Sequence, residues 1–269
     1  MGVLRNSVAA GVMAAMVSVP AQAQEAFSFL SGEWLVTVKG NITASPSWPG
    51  SSDLSVLPYP SLSIRRAGTP QSFGAPDDAI SFALYDIGWL KAGPAAKFLG
   101  ARRAADHREL TGMRDVDWTL EAGGFLEFWP IEKLRTRLEL RYGFLGHRGV
   151  VGDAGADWVE RFGAWTLSGG PRLKLASNRF ADSYFSVTAA EAALNGRVTA
   201  FDAKGGLVSA GLAGAVSYDW TPQWRTTVHA RWDRLTGDAG KSPIPTQLGS
   251  RNQFTLGATV AYTFPVHWR

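Results

Sequence analysis

The sequence predicts an all-β fold, an antiparallel transmembrane β-barrel of about 12 strands (10–14), and three observations carry that prediction. The first 23 residues have the build of an export signal. Most of the remaining chain alternates apolar and polar residues with period two, the signature of strands with one face in each environment. After the leader, no window holds the roughly 20 consecutive apolar residues that a spanning helix needs.

The leader runs from Met1 to Ala23, with Arg5 at its charged start, an apolar stretch from Val8 to Val19, and Pro20 before Ala21-Gln22-Ala23. A basic start, a short apolar middle and small residues at the minus-three and minus-one positions describe a cleaved secretory signal. The mature chain is expected to begin near Gln24 and to form one barrel over 24–269, with a short C-terminal extension at 265–269.

Strands are expected at 33–40, 59–66, 79–86, 95–104, 115–129, 133–144, 157–167, 171–177, 181–188, 206–220, 223–235 and 252–264. The pattern is plainest in four of them. Val116, Trp118, Leu120, Ala122, Gly124, Leu126 and Phe128 alternate with Asp117, Thr119, Glu121 and Glu127. Leu134, Leu138, Leu140, Tyr142 and Phe144 alternate with Arg135, Arg137, Glu139 and Arg141. Trp224, Val228, Ala230 and Trp232 alternate with Arg225, His229, Arg231 and Asp233, and Phe254 to Phe264 repeats the rhythm with threonines. Long loops, rich in Pro, Gly, Ser and Asn, are expected at 41–58, 189–205 and 236–251.

A soluble sandwich alternates too. These strands are longer than the five or six residues usual in soluble sheets. Aromatics gather near their ends (Trp34, Trp118, Phe128, Tyr218, Trp220, Trp224, Trp232, Tyr262, Phe264), where a membrane interface would lie. Their polar faces carry arginines and glutamates, a poor lining for a dry core. Composition agrees: charged residues are 19% of the 269 and hydrophobic ones 45%, with 30 glycines, where a soluble domain averages nearer a quarter charged. The exported strands point to the outer membrane of a Gram-negative bacterium, in contact with its lipid and lipopolysaccharide.

Several stretches resemble the MipA/OmpV family, also described as MltA-interacting proteins. They are Trp34-Leu35-Val36-Thr37-Val38, Pro46-Ser47-Trp48-Pro49-Gly50-Ser51, Pro58-Tyr59-Pro60 and Leu62-Ser63-Ile64-Arg65. The middle of the family is matched by Leu110 to Asp117 with Glu121-Ala122-Gly123, by Gly146-His147-Arg148-Gly149 and by Gly169 to Leu173. Ser183 to Thr188 comes next, then Arg234 to Ala239, Lys241 to Ile244, and Gln253 to Phe264. Ser186 stands where the family usually has glycine, and the chain continues past Phe264 as Pro265-Val266-His267-Trp268-Arg269. The resemblance implies an outer-membrane protein associated with peptidoglycan synthesis, a scaffold between a lytic transglycosylase and a penicillin-binding protein. Other members are described as adhesins, porins or stress-responsive proteins.

The absence of cysteine excludes disulfides, thiol catalysis and cysteine-ligated metal centres. A formal net charge of +4, lowered by one when a leader carrying Arg5 is removed, argues with the lack of basic runs against nucleic acid as a partner. His107, His147, His229 and His267 show neither metal-ligand spacing nor a nucleophile at a telling distance. The sequence therefore assigns no catalytic, cofactor or metal residue, and no enzyme. What remains is a set of charges expected to face the lumen: Arg65, Asp117, Glu121, Glu127, Arg135, Arg137, Glu139, Arg141, Arg225, His229, Arg231 and Asp233. They fit a cross-strand ladder that fills a narrow barrel, or else the lining of a small porin-like channel for polar or anionic solutes.

Overall fold

A computed structural model describes residues 32–69 and 71–268; the expected leader lies outside them. Twelve strands form one antiparallel sheet. They are β1 (Gly32–Pro46), β2 (Leu54–Arg66), β3 (Ile80–Ser81), β4 (Tyr85–Asp86), β5 (Leu90–Leu99), β6 (Thr119–Ile131), β7 (Leu134–Leu145), β8 (Val150–Phe162), β9 (Trp165–Ala176), β10 (Gly206–Asp219), β11 (Trp224–Leu235) and β12 (Asn252–Trp268). β1 pairs with β12, and the order runs β2-β1-β12-β11-β10-β9-β8-β7-β6-β5 before ending on β3 and β4, which are successive pieces of one row. Among the described residues, no helix is long and apolar enough to cross a membrane.

The alternation sets the two faces. Leu138 and Leu140 on β7 are 56% and 64% exposed, whereas Arg135 and Arg141 on the same strand are 1% exposed. Apolar residues outside and charges inside are the reverse of a soluble sheet and suit a wall bathed in lipid. An aromatic girdle follows the end at which β1 starts and β12 finishes. Trp165, Tyr218 and Trp220 form a chain with ring centroids 4.6 and 4.7 Å apart, Trp224 meets Tyr262 at 4.7 Å, and Trp89 meets Phe128 at 5.7 Å. The short turns 87–89, 132–133, 163–164 and 220–223 share this end, and by the rule that outer-membrane barrels keep short turns on the periplasmic side it is named the periplasmic end. The connections 47–53, 100–118, 146–149, 177–205 and 236–251 lie at the outer mouth.

The expected loop 41–58 narrows to 47–53, since β1 runs to Pro46 and β2 begins at Leu54, and the strand expected at 95–104 lies at Leu90–Leu99. Four other expected strands differ more. The strands 157–167 and 171–177 are replaced by β8 and β9, which turn at Gly163, held at φ +57. The glycines expected to turn the chain at 168–170 lie in mid-strand instead, because a Cβ on Gly170 would stand 2.0 Å from the Ala156 carbonyl. Residues 181–188 are not a strand: Asn178–Phe185 form helix α1. Phe180, Ala181, Tyr184 and Phe185 share its buried face, so helical packing overrides the local strand preference. Ala189–Asn195 form a second helix, α2, and Gly237–Lys241 a third, α3, inside spans expected as irregular loops. Finally, 79–86 breaks into β3 and β4. The neighbouring β5 carries Pro94, which accepts from the Phe82 N–H but has no N–H to return. At the other end of the chain, 265–268 is not an appendage, since β12 continues through it, pairing Leu35 with Pro265 and Gly32 with Trp268.

The sheet's edges do not match as an even barrel's would. Alternation along the order puts β2 and the β3–β4 row in the same direction, so no antiparallel ladder can join them. The β2 edge is also blunted. Ala67 donates to Glu33 on β1, so odd-numbered residues bond toward β1 and even-numbered ones outward, among them Pro58 and Pro60, which lack a donor.

Candidate functional site: the ion-paired interior

The interior of β5 to β9 is a continuous network of charges. On β6 and β7 the register sets Glu127 opposite Arg137 and Glu121 opposite Gly143. Arg135 donates to Glu127 at 2.8 Å and to Asp157 at 3.0 Å. Arg137 bonds Glu139 at 2.8 Å and reaches Glu127 at 3.3 Å. Arg141 bonds Glu121 at 2.9 Å and also contacts Glu139 and Asp153. Arg172 bonds Asp157 at 2.7 Å, and Lys174 lies 3.2 Å from Asp153. Buried charges persist only when each is paired and hydrogen-bonded, and here every arginine of the cluster bridges two or more acids.

His147 caps the network. The Gly149 N–H donates to its Nδ1 at 3.0 Å, so the proton resides on Nε2, which faces Glu121 Oε1 at 3.1 Å. Its ring covers Gly143, where a Cβ would sit 2.1 Å from it. This histidine is buried and joined to the network through Glu121.

Of the other expected lumen charges, Arg231 pairs with Asp233 across 2.9 Å on β11, and Arg225 with Asp219 across 2.7 Å near the periplasmic turn. His229 faces the same side, its ring over Gly257 and its Nδ1 buried without a partner. Arg65 donates to the Thr69 carbonyl near the terminal end. Asp117 is not part of the ladder: β6 starts at Thr119, and Asp117 is exposed in the outer connection.

The sequence missed Lys97, Asp153, Asp157, Arg172, Lys174 and, above all, Asp77 and Asp78. Asp77 accepts from Arg172 at 2.7 and 3.1 Å and from Arg231 at 2.8 Å. Asp78 accepts from Arg135 and lies 3.7 Å from Arg137. One dipeptide thus reaches β7, β9 and β11, four strand spacings or roughly 19 Å along the wall. Only a segment inside the curl of the sheet can do so. Between Asp77, Lys97, Asp153 and the surrounding arginines a cavity of about 30 Å³ remains, room for roughly two waters.

The outer mouth is closed by its own connections. Trp48, Leu110, Met113, Val187, Val198, Ile244 and Leu248, drawn from four of them, form one buried cluster. A second joins α1 to the wall through Phe180, Tyr184, Phe185, Val151, Val208 and Leu235. Arg102 stitches this cap, donating to the carbonyls of Tyr184 at 2.8 Å and Ser183 at 3.1 Å. Burial pushes its pKa down to about 10, so it remains a cation at neutral pH. At the start of α2, Thr188 and Glu191 form a capping box. Burial raises the Glu191 pKa, but the Thr188 and Arg114 backbone N–H groups outweigh it, and the carboxyl titrates below its ordinary value.

Among the described residues no cluster of three or more His, Asp or Glu side chains is arranged to hold a metal.

A lipid-facing apolar belt, an aromatic girdle and a charged interior define an outer-membrane β-barrel. The chain belongs to the family of MltA-interacting protein MipA, whose model matches residues 40–264. A search of curated proteins returns no match. Among solved structures, an outer membrane channel from Pseudomonas putida F1 is 14% identical, covering 87% of this chain and 96% of that one, with a TM-score of 0.37. The NanC porin is 10% identical over 84% of this chain and 98% of its own, at 0.40. The CymD monoaromatic hydrocarbon channel is 10% identical over 88% and 90%, at 0.36.

Proposed function

We propose that this barrel is a non-catalytic interaction protein of the cell envelope, a scaffold for the machinery that synthesises and remodels peptidoglycan. The carrying observation is the ion-paired filling of the interior along β5 to β9, beneath connections that pack on one another at the outer end; in that half it turns the molecule's usable surface toward its turns and rims. On this reading residues 1–23 are a cleaved export signal, and the wall is in contact with outer-membrane lipid and lipopolysaccharide. The partners implied by the family description are a lytic transglycosylase of the MltA kind and, through it, a penicillin-binding protein. The periplasmic turns 132–133 and 163–164 are the surfaces such partners would meet. Tagged protein extracted from native envelopes should retrieve the transglycosylase, and charge reversal at Glu132 and Lys133 should weaken the capture. Retrieval of neither enzyme overturns the proposal.

A second reading, a small porin-like channel for polar or anionic solutes, is favoured by one observation. On the interior side of β2, Ser55, Leu57, Tyr59 and Ser63 are exposed, Leu57 at 61%, while Ser61 and Arg65 are half-buried, so this side of the interior is less filled than the ion-paired half. The channel reading requires discrete conductance steps in planar bilayers, altered by charge reversal at Arg137 or Arg231. A verified barrel that never conducts removes it.

A further inference from the structure

We infer that residues 71–79 are an internal plug, and that the arginines holding it form a binding site for solutes bearing two carboxylates, for which Asp77 and Asp78 stand in. This goes beyond the scaffold reading and holds whether or not a partner protein binds.

Topology points first to the plug. β2 runs toward the periplasmic end and so does the β3–β4 row. The chain between them must therefore return toward the outer mouth, in the position where an even barrel would place one more strand. It returns inside instead. Its sequence, Gln71-Ser72-Phe73-Gly74-Ala75-Pro76-Asp77-Asp78-Ala79, explains why: neither alternate face is apolar, and proline and glycine disfavour a ladder. Denied the lipid, the segment is held by the wall's charges.

The cradle supplies the ligand class. Arg172 grips Asp77 through two nitrogens, at 2.7 and 3.1 Å, while Arg231 approaches the same carboxylate at 2.8 Å from two strands away. Forked guanidinium contacts of this kind read carboxylates by shape as well as charge. Arg135, beside them, takes the second carboxylate, that of Asp78. Three arginines from β7, β9 and β11 thus converge on two adjacent carboxylates that anchor the segment. Other anchors are the Ala79 N–H on Glu139 at 3.2 Å, Ala79 itself packed with Ala95 and Phe125, Lys91 donating to Ser72 at 2.6 Å, and Phe73 edge-on to Trp129 at 6.1 Å with the Arg135 guanidinium 5.4 Å from its ring. A tethered competitor acts at millimolar effective concentration, so the plug masks the cradle from a free dicarboxylate.

The test uses the full-length barrel, refolded in vesicles and verified by heat-modified gel mobility. The chain has no cysteine, so Ser72→Cys gives a single site for a spin label. In D77N/D78N the label should become mobile, and succinate, titrated by calorimetry, should bind roughly tenfold or more tighter than to the unsubstituted barrel. In R172Q/R231Q the label should also loosen, but succinate should not bind. D77N alone, which leaves Asp78 on Arg135, serves if the double variant does not fold. A label equally immobile in wild type and acid variants overturns the plug. A mobile label without succinate binding overturns the dicarboxylate site. Conductance of the released variant reports separately on the channel reading, and capture of the transglycosylase on the scaffold reading.

Discussion

The interior of β6 to β9 and the interior of β12, β1 and β2 arise from the same two-residue rhythm but end in opposite chemistry. In the first, arginines and acids lock directly together, each cation shared among several carboxylates. In the second, hydroxyls and amides pair among themselves beside the inward charges Lys39 and Arg65 on β1 and β2: Thr37 with Thr263 at 2.7 Å, Asn41 with Thr259 at 2.8 Å and with Ser61 at 3.0 Å. The outer faces of both are the same aliphatic belt. Lipid therefore constrains only one face of a barrel strand, leaving the other free to be structural filling or wetted surface. Charges commit their half to being filled, because an ion withdrawn from water must find its counter-ions in the protein. Neutral hydroxyls make no such demand.

The comparison breaks most visibly at Arg141. Replacing it by leucine takes one cation from each of Glu121, Glu139 and Asp153, leaving them to His147, Arg137 and Lys174, and removing one partner of a buried ion pair costs about 3–5 kcal/mol. Urea unfolding of Arg141→Leu in vesicles should show that loss. A cost no larger than that of a surface substitution would mean that water already reaches the network. The cap supplies the next effect. Phe180→Ala removes a ring that packs on His147 at 4.9 Å and on Tyr184 at 4.9 Å, at a cost of about 3 kcal/mol. The damage should appear as protease cleavage within 177–205, with heat-modified mobility of the barrel kept. If the barrel is lost as well, the cap and the network fold as one unit.

How much of the fold and site is legible in the sequence depends on what periodicity records. β6, β7, β10, β11 and β12 can be placed to within a few residues because their lipid faces are largely apolar, interrupted by a threonine such as Thr136 or Thr226, and their inward charges come with them. β8 and β9 are misplaced because Gly169 and Gly170 look like a turn, while their role is to let neighbouring backbones approach. With the boundary wrong, Asp153, Asp157, Arg172 and Lys174 go unassigned. Helix α1 reads as a strand because Tyr184-Phe185-Ser186-Val187-Thr188 favours one locally, and only its packing against Val151 and Val208 decides otherwise. Asp77 and Asp78 carry no periodic signal, since their place is set by arginines nearly sixty to more than one hundred and fifty residues away in the chain.

A smaller effect separates local from tertiary control within the cap. Glu191 has a lowered pKa, so its contribution is present above the ordinary glutamate value, near 4.3, and is lost as pH falls through the folded value. Protection of the α2 amides against hydrogen exchange should therefore drop under acid. Thr188→Ala should cost about 1 kcal/mol at neutral pH and flatten the acid response, since the hydroxyl of the capping box is gone. An unchanged acid response would assign the pH dependence to the backbone N–H groups of residues 188 and 114 and to the Arg114 guanidinium, 3.5 Å from Glu191.

The smallest expected change is the most direct probe of the hydroxyl half. Thr259→Val keeps the shape of the side chain and removes the hydroxyl that donates to Asn41. In a dry interior the Asn41 oxygen would be left unsatisfied, at a cost of about 1–3 kcal/mol. In a wetted one, water replaces the lost donor and the change stays within about 0.5 kcal/mol. Because most of β2 is exposed on its inner side, the smaller value is expected, read by urea unfolding beside Arg141→Leu. The larger value would place this half in the same dry regime as the ion-paired one, and the contrast between them would then lie in charge alone.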